Sequence, residues 1–182
     1  MSHVGRLLVA TPLIGDSTFE RTVVLLLAHG DDGAFGLVVN RPSDSTVAEV
    51  AEGWAAHAAA PAVVFVGGPV SSNSVVGLAR RRGDDPEPPF GVEVGDLGTI
   101  DLHRPPDLGD NPWSGVRLFA GSAGWAPGQL EDEVSEGAWW PVDGSAEDVL
   151  TADPTGLWVR VLRRQPGQVA WFANHPRDPS FN

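Results

Sequence analysis

The chain has 182 residues, with 24 acidic and 12 basic side chains and a net charge of −12. Cysteine, lysine and tyrosine are absent, which excludes disulfides, thiolate nucleophiles, cysteine-based zinc sites, Schiff-base chemistry, phenolic acids and a Walker-type phosphate loop. Duplex DNA and anionic membranes repel so acidic a surface, because nonspecific binding to them relies on basic groups that release counterions.

The length fits one domain. Glycine (22) and proline (16) are spread along the chain, which favours many short elements over a helical bundle. Residues 7–10 read as a short strand. The run Thr22-Val23-Val24-Leu25-Leu26-Leu27 does not alternate, so residues 21–29 predict a strand covered on both faces. Gly30-Asp31-Asp32-Gly33 supplies a turn, and residues 35–40 a second strand, together a β-hairpin. Asn40-Arg41-Pro42 ends it. Asp44 or Ser45 then caps a helix to about residue 57, with Val47, Val50, Ala51 and Trp54 at helical spacing. Residues 62–66 form a strand closed by Gly67-Gly68-Pro69, and residues 74–80 are extended. Residues 83–112 are rich in Pro, Gly and Asp and predict an irregular excursion, with extended pieces near 92–94 and 99–102. A strand over 115–120 ends at Gly121-Ser122-Ala123-Gly124-Trp125. A helix follows from Pro127 through Glu136, stopped by Gly137, and residues 139–142 are extended. Asp143 or Ser145 caps a small helix to Leu150, and Asp153-Pro154 opens a last helix to about Arg164. Residues 165–182 form a tail, packed around 169–172 and disordered at its end. Strands and helices alternate unevenly, so the expected class is α+β.

Each motif has a chemical and a structural reading. Gly67 and Gly68 can expose backbone N–H groups to an anion, or simply make a tight turn. Gly121, Ser122 and Gly124 lie between a strand and a helix start, where α/β proteins hold ligands, or else serve backbone packing. Ser122 lacks the Gly-x-Ser-x-Gly spacing of a nucleophile elbow. With Arg41 as a charge clamp, Gly67, Gly68, Gly121, Ser122 and Gly124 make a candidate site for a small anion or nucleotide. Residues 126–154 carry eight acids and no base, which suits a basic protein partner docking through Glu131 and Glu133. Those two point to different faces of the predicted helix. The histidines show no metal-ligand spacing, and His29 beside Asp31 and Asp32 falls in a turn, so no metal is expected. Arg80-Arg81-Arg82 is answered by Asp84, Asp85 and Glu87. Trp125, Trp139, Trp140 and Trp158 read as core. No apolar run approaches the ~20 residues of a membrane span. Residues 1–14 do not read as a signal peptide, which makes the cytoplasm the expected location.

Several ordered motifs together resemble the opening, centre and end of the YqgE/AlgH family. They are Phe19-x-x-Thr22-Val23-Val24-Leu25-Leu26 with His29, then Gly33-Ala34-Phe35-Gly36-Leu37-Val38-Val39-Asn40-Arg41-Pro42. Gly67-Gly68-Pro69-Val70 follows, then Gly121-x-Ala123-Gly124-Trp125-x-x-Gly128-Gln129-Leu130-Glu131-x-Glu133 with Trp139, and a final helix with Trp158. The resemblance spans residues 5–164 as one domain. It implies an α+β fold with a strongly curved, barrel-like mixed sheet flanked by helices, in a bacterial cytoplasmic protein. The family carries the label of transcriptional regulators, a role that the acidic charge makes indirect, and it transfers no catalytic residues or cofactor. The expectation is therefore a non-enzymatic regulatory or protein-interaction domain, with direct DNA binding disfavoured and an anion or nucleotide binder as the alternative.

Overall fold

The computed structural model describes residues 2–82, 93–105 and 112–175. Most of the excursion read over 83–112, and the disordered end read after residue 175, lie outside them.

The uninterrupted apolar runs set the architecture. In β1 (Leu7–Ala10) and β2 (Val23–Gly30), successive residues serve opposite faces of the sheet. Leu7, Val9, Val23, Leu25 and Leu27 join one apolar cluster, while Leu8, Ala10, Val24 and Leu26 join another. A strand apolar on both sides needs a cover on both sides, and helices provide it. Helix α4 (Leu157–Arg163) packs Leu157, Trp158, Val161 and Leu162 into the first cluster. Helix α2 (Gln129–Ser135) places Leu130 in the second, beside Trp125 and Trp139.

The predicted hairpin forms between β2 and β3 (Gly33–Val38). After Asn40 and Arg41 the chain stays extended as β4 (Pro42–Thr46), where the sequence had suggested a helix already begun. Thr46 is the cap, in a capping box with Glu49, and α1 is a single turn (Val47–Val50). A 3₁₀ segment (Glu52–His57) continues it, and Gly53 there lies so close to Pro105 that a Cβ would come within 2.8 Å of its ring. Strand β5 (Val63–Val66) pairs with β4, and β6 (Val70–Arg81) is longer than expected. Strands β7 (Glu93–Val94) and β8 (Leu97–Ile100) extend that side. Arg80 is neutralised by Asp96 and Glu147, which sequence proximity did not suggest.

Strand β9 (Trp113–Trp125) does not stop at Gly121 but runs four residues further. It is the spine of a mixed sheet ordered β10-β1-β2-β3-β9-β6-β8-β7, where β10 is Trp139–Val142. Phe119 pairs in parallel with Phe65 of β5 and antiparallel with Val76 of β6, so those two consecutive strands lie on opposite edges of β9. Gly67, Gly68 and Pro69 join them, and this short link has to pass across the face of β9. It crosses at Gly121 and Ser122 with no room for a side chain. A Cβ on Gly67 would stand 2.3 Å from the Gly121 carbonyl oxygen, one on Gly68 2.2 Å from Ser122, and one on Gly121 2.3 Å from the Gly68 oxygen. Gly68 and Gly121 also hold φ of +148° and +75°. The result is an α+β domain built on a curved mixed sheet, as expected.

Two buried charges tie the later segments to this frame. Arg117 of β9 is 1% exposed and donates from Nη1 to the Val149 and Thr151 carbonyls and from Nη2 to that of Ala60. Its guanidinium lies 4.3 Å from the centre of the Phe65 ring, and burial lowers its pKa to about 10. Asp148 of α3 (Ala146–Val149) caps its own helix through Ser145 and receives Arg164 at 2.6 and 2.7 Å. Burial pushes the Asp148 pKa up, but the hydrogen bonds and charge of Arg164 and the Ser145 donors outweigh it, and the carboxyl sits below its ordinary range.

Gly121→Ala should destabilise the domain by about 3 kcal/mol through overpacking and an unfavourable φ. Gly124→Ala should stay within about 0.5 kcal/mol, because a Cβ there meets only the Ala34 oxygen, at 4.0 Å; urea unfolding separates the two. Because the folded pKa of Asp148 is depressed, its contribution is complete above the unfolded value of about 4 and is lost as pH falls through the folded value. Asp148→Asn should cost about 2 kcal/mol at neutral pH, less than for a fully buried pair because Arg164 keeps contact with water. The same denaturation series repeated in acid should show that difference shrinking.

Candidate functional site on the α2 face

The two glycine segments do meet, but in the manner of packing and not as a cradle. Gly67 donates its N–H to the Ala120 carbonyl at 2.8 Å and accepts from Val38 at 2.8 Å. Gly67, Gly68, Gly121 and Ser122 press backbone on backbone, and the contact excludes even a methyl group, so no anion fits between them. Arg41 is adjacent through its backbone, its carbonyl accepting from Val66. Its side chain turns the other way and donates to the carbonyls of Thr18 and Glu20. Burial lowers the Arg41 pKa, opposed by Glu20 and Asp16. Asn40 works beside it, accepting from the Val23 N–H and donating to the Arg21 carbonyl, each at 2.9 Å. Asn40 and Arg41 thus pin the loop between β1 and β2, where Arg21 takes a φ of +55° and lies 4.0 Å from the centre of the Trp158 ring. A cavity of about 360 Å³ opens there beside Asn40, Arg41 and Thr155, with Glu20 also in its wall.

Of the four candidate glycines only Gly124 has room for a side chain, and it lines the α2 side. Helix α2 starts after Gly128, held in a left-handed conformation at φ +79°. The two glutamates do separate, as helix geometry requires. Glu131 accepts from Nε2 of His29 at 2.8 Å. The His29 Nδ1 accepts from the His3 N–H at 3.0 Å, which leaves the ring proton on Nε2, facing Glu131. The Glu131 carboxyl is held below its ordinary range, first by a backbone N–H and then by His29. His29, its side chain 3% exposed, therefore pairs with a residue 102 positions away, not with Asp31 or Asp32.

Glu133 turns inward. Its Oε2 accepts from the indole Nε1 of Trp125 at 2.9 Å and of Trp139 at 2.8 Å, and its Oε1 from the Gln129 amide at 2.8 Å. Gln129 in turn accepts from the Ala126 N–H, which fixes the entry to α2. Phe19 and Trp125 each stand edge-on to Trp139, at 5.6 and 5.9 Å between ring centres. The indoles read as core are therefore also the donors of a carboxylate clasp. Beside them lies a cavity of about 400 Å³, walled by Leu13, Phe19, Gly124, Trp125, Glu133 and Trp139, with Asp16 and Glu136 also lining it. Reasoning from sequence missed Asp16, Phe19 and Gln129 as parts of one site. A partial signal was present, since Gln129 and Glu133 are four residues apart on the helix. Among the described residues no group of three or more His, Asp or Glu could hold a metal ion.

Residues 7–170 match the sequence profile of a family described as AlgH-like. The chain belongs to the AlgH-like family. A UPF0301 protein from Streptomyces avermitilis is 48% identical, the match covering 100% of this chain and 96% of the relative. A UPF0301 protein of Mycobacterium tuberculosis is 40% identical over 99% of this chain and 91% of its own length. Two solved structures share the AlgH-like fold. A crystal structure of a Corynebacterium diphtheriae protein superposes with a TM-score of 0.88 at 31% identity, covering 95% of this chain and 92% of that one. The solution structure of AlgH from Pseudomonas aeruginosa gives 0.67 at 26% identity, covering 95% and 94%.

Glu133→Ala should leave two partly buried indole N–H groups without an acceptor and cost about 2–3 kcal/mol. Thermal unfolding checks the cost. In NMR spectra the Trp125 and Trp139 indole protons should move upfield while that of Trp158, bonded to the Ala10 carbonyl, stays in place.

Proposed function

We propose that this AlgH-like chain is a non-enzymatic interaction domain that docks a basic protein through the α2 face. The observation that carries the reading is the state of the acids between residues 126 and 154. Asp143, Glu147, Asp148 and Asp153 are paired with arginines, and Glu131 with His29. Asp132, Glu133 and Glu136 of the α2 segment have no basic partner among the described residues, which leaves this face with uncompensated negative charge. Complementary charge is what steers and selects a protein partner. The non-enzymatic part is supported by the occupation of the acid–base groups. His29, Glu131 and Glu133 are hydrogen-bonded to the fold itself, and the chain lacks thiol, amine and phenol side chains.

A role in transcription, which the family label implies, would then run through the partner and not through DNA, whose phosphates the charge of −12 repels. The reading places the protein in the bacterial cytoplasm. Among the described residues no helix is long and apolar enough to cross a membrane.

Affinity capture from an extract of the source organism tests this. Asp132→Arg/Glu136→Arg should lower recovery of the partner by about tenfold, and raising the salt should release it from the native protein. Capture indifferent to both changes would sink the reading, as would substrate turnover by the purified protein.

A further inference from the structure

The cavity beside α2 has a chemistry of its own. Three aromatic rings and three carboxylates line it, and no basic side chain does. Phe19 is the half-buried ring of the three, and it stands edge-on to Trp139, which with Trp125 is buried behind it. Glu133 is held at the wall by three neutral N–H donors. These fix its orientation without cancelling its charge, and a carboxylate has about four acceptor sites, so one remains. Asp16 and Glu136 add charge at the edge. An aromatic ring attracts a cation laid over its face, and carboxylates beside it add to that attraction.

We propose that this cavity receives the guanidinium of one arginine side chain from the basic partner. The proposal rests on the interaction reading above and names the chemistry of the partner's anchor. Arginine fits better than lysine because its planar group stacks on a ring while its edge donates to a carboxylate. The chain itself twice lays a guanidinium over a ring, Arg21 on Trp158 and Arg117 on Phe65. A protein segment fits better than a free amine because Leu13, at the cavity wall, is 75% exposed and offers apolar contact to whatever flanks the arginine. Arginine anchors of this kind are the side chains on which interface energy concentrates.

The test follows the Trp125 and Trp139 indole resonances by NMR during titration with N-acetyl-arginine amide, its neutral isostere N-acetyl-citrulline amide, and a blocked pentapeptide with one central arginine flanked by leucines. The arginine compound should shift both indoles saturably, with citrulline about tenfold weaker. Gly124→Val places a side chain at the cavity wall, where a Cβ meets no atom closer than 4.0 Å, and should abolish the response in a folded protein. Asp16→Asn/Glu136→Gln removes charge without touching the indole clasp and should weaken binding by about tenfold. The pentapeptide should bind more tightly than the single residue, and Leu13→Ala should remove that advantage.

Equal binding of arginine and citrulline, or shifts that survive Gly124→Val, would overturn the cavity assignment. If partner capture stayed sensitive to Asp132 and Glu136 at the same time, the interaction reading would stand without it. A single residue that binds as tightly as the peptide would overturn the protein anchor in favour of a small cationic metabolite. Saturable arginine binding with capture indifferent to the α2 charges would keep the cavity and sink the docking face.

Discussion

The fold depends on one crossing. Strands β5 and β6 are consecutive, yet they hydrogen-bond to opposite edges of β9, and Gly67, Gly68 and Pro69 carry the chain across that strand's face. Two backbones come within a distance that no side chain permits, so three positions have to be glycine. Everything else is arranged around the strand they cross. Its residues 119–120 lie between β6 and β5, its last residues pair with β3, and its Arg117 holds the carbonyls of Ala60 before β5 and of Val149 and Thr151 at the end of α3.

The α2 face is a consequence of the same strand continuing past the crossing. Residues 123–125 reach β3 and bring Trp125 and Gly124 beside α2. There the Glu133 carboxylate joins Trp125, from the end of β9, to Trp139, from the start of β10. The signature residues are thus structural first. Asn40 and Arg41 hold a loop, the glycines allow a crossing, His29 receives Glu131, and Glu133 unites two indoles. The cavity stands where these structural devices adjoin, with charge from Glu133 and Glu136, which no arginine answers among the described residues.

The apolar runs made much of this legible in the sequence. Val23 to Leu27 announced a doubly covered strand, Gly30 to Gly33 a hairpin turn, and Asp143 or Ser145 a helix cap, which Ser145 fills, since each depends on neighbours along the chain. Glycine misled at one place. In a sequence Gly121 reads as an end, because turns are the commonest use of a positive φ. In the structure it is the middle of a strand that another segment crosses. The helix read from a cap at Asp44 or Ser45 to about residue 57 instead starts after Thr46 and breaks at Ala51 into a 3₁₀ segment. The site was half legible. Glu131 and Glu133 stood out as charges, and their separation was readable from helical period. Their partners, His29 and the two indoles, are set by tertiary contact, and no local pattern encodes a pairing across 102 residues.

The strand between β5 and β6 has a bearing on how the chain is made. β9 begins at Trp113, more than thirty residues after β6 has ended at Arg81. When the first two strands leave the ribosome, the strand that separates them has not been synthesised. They cannot zip together as an ordinary hairpin without shutting it out. The gap has to stay open, with its edges unpaired, until residue 125 emerges and slides in. Such late, non-local closure makes folding slow and exposes strand edges to other chains in the interval. A ribosome that stalls before Trp113 would release a chain with an empty centre, and so a chain inclined to fill it with a neighbour's strand.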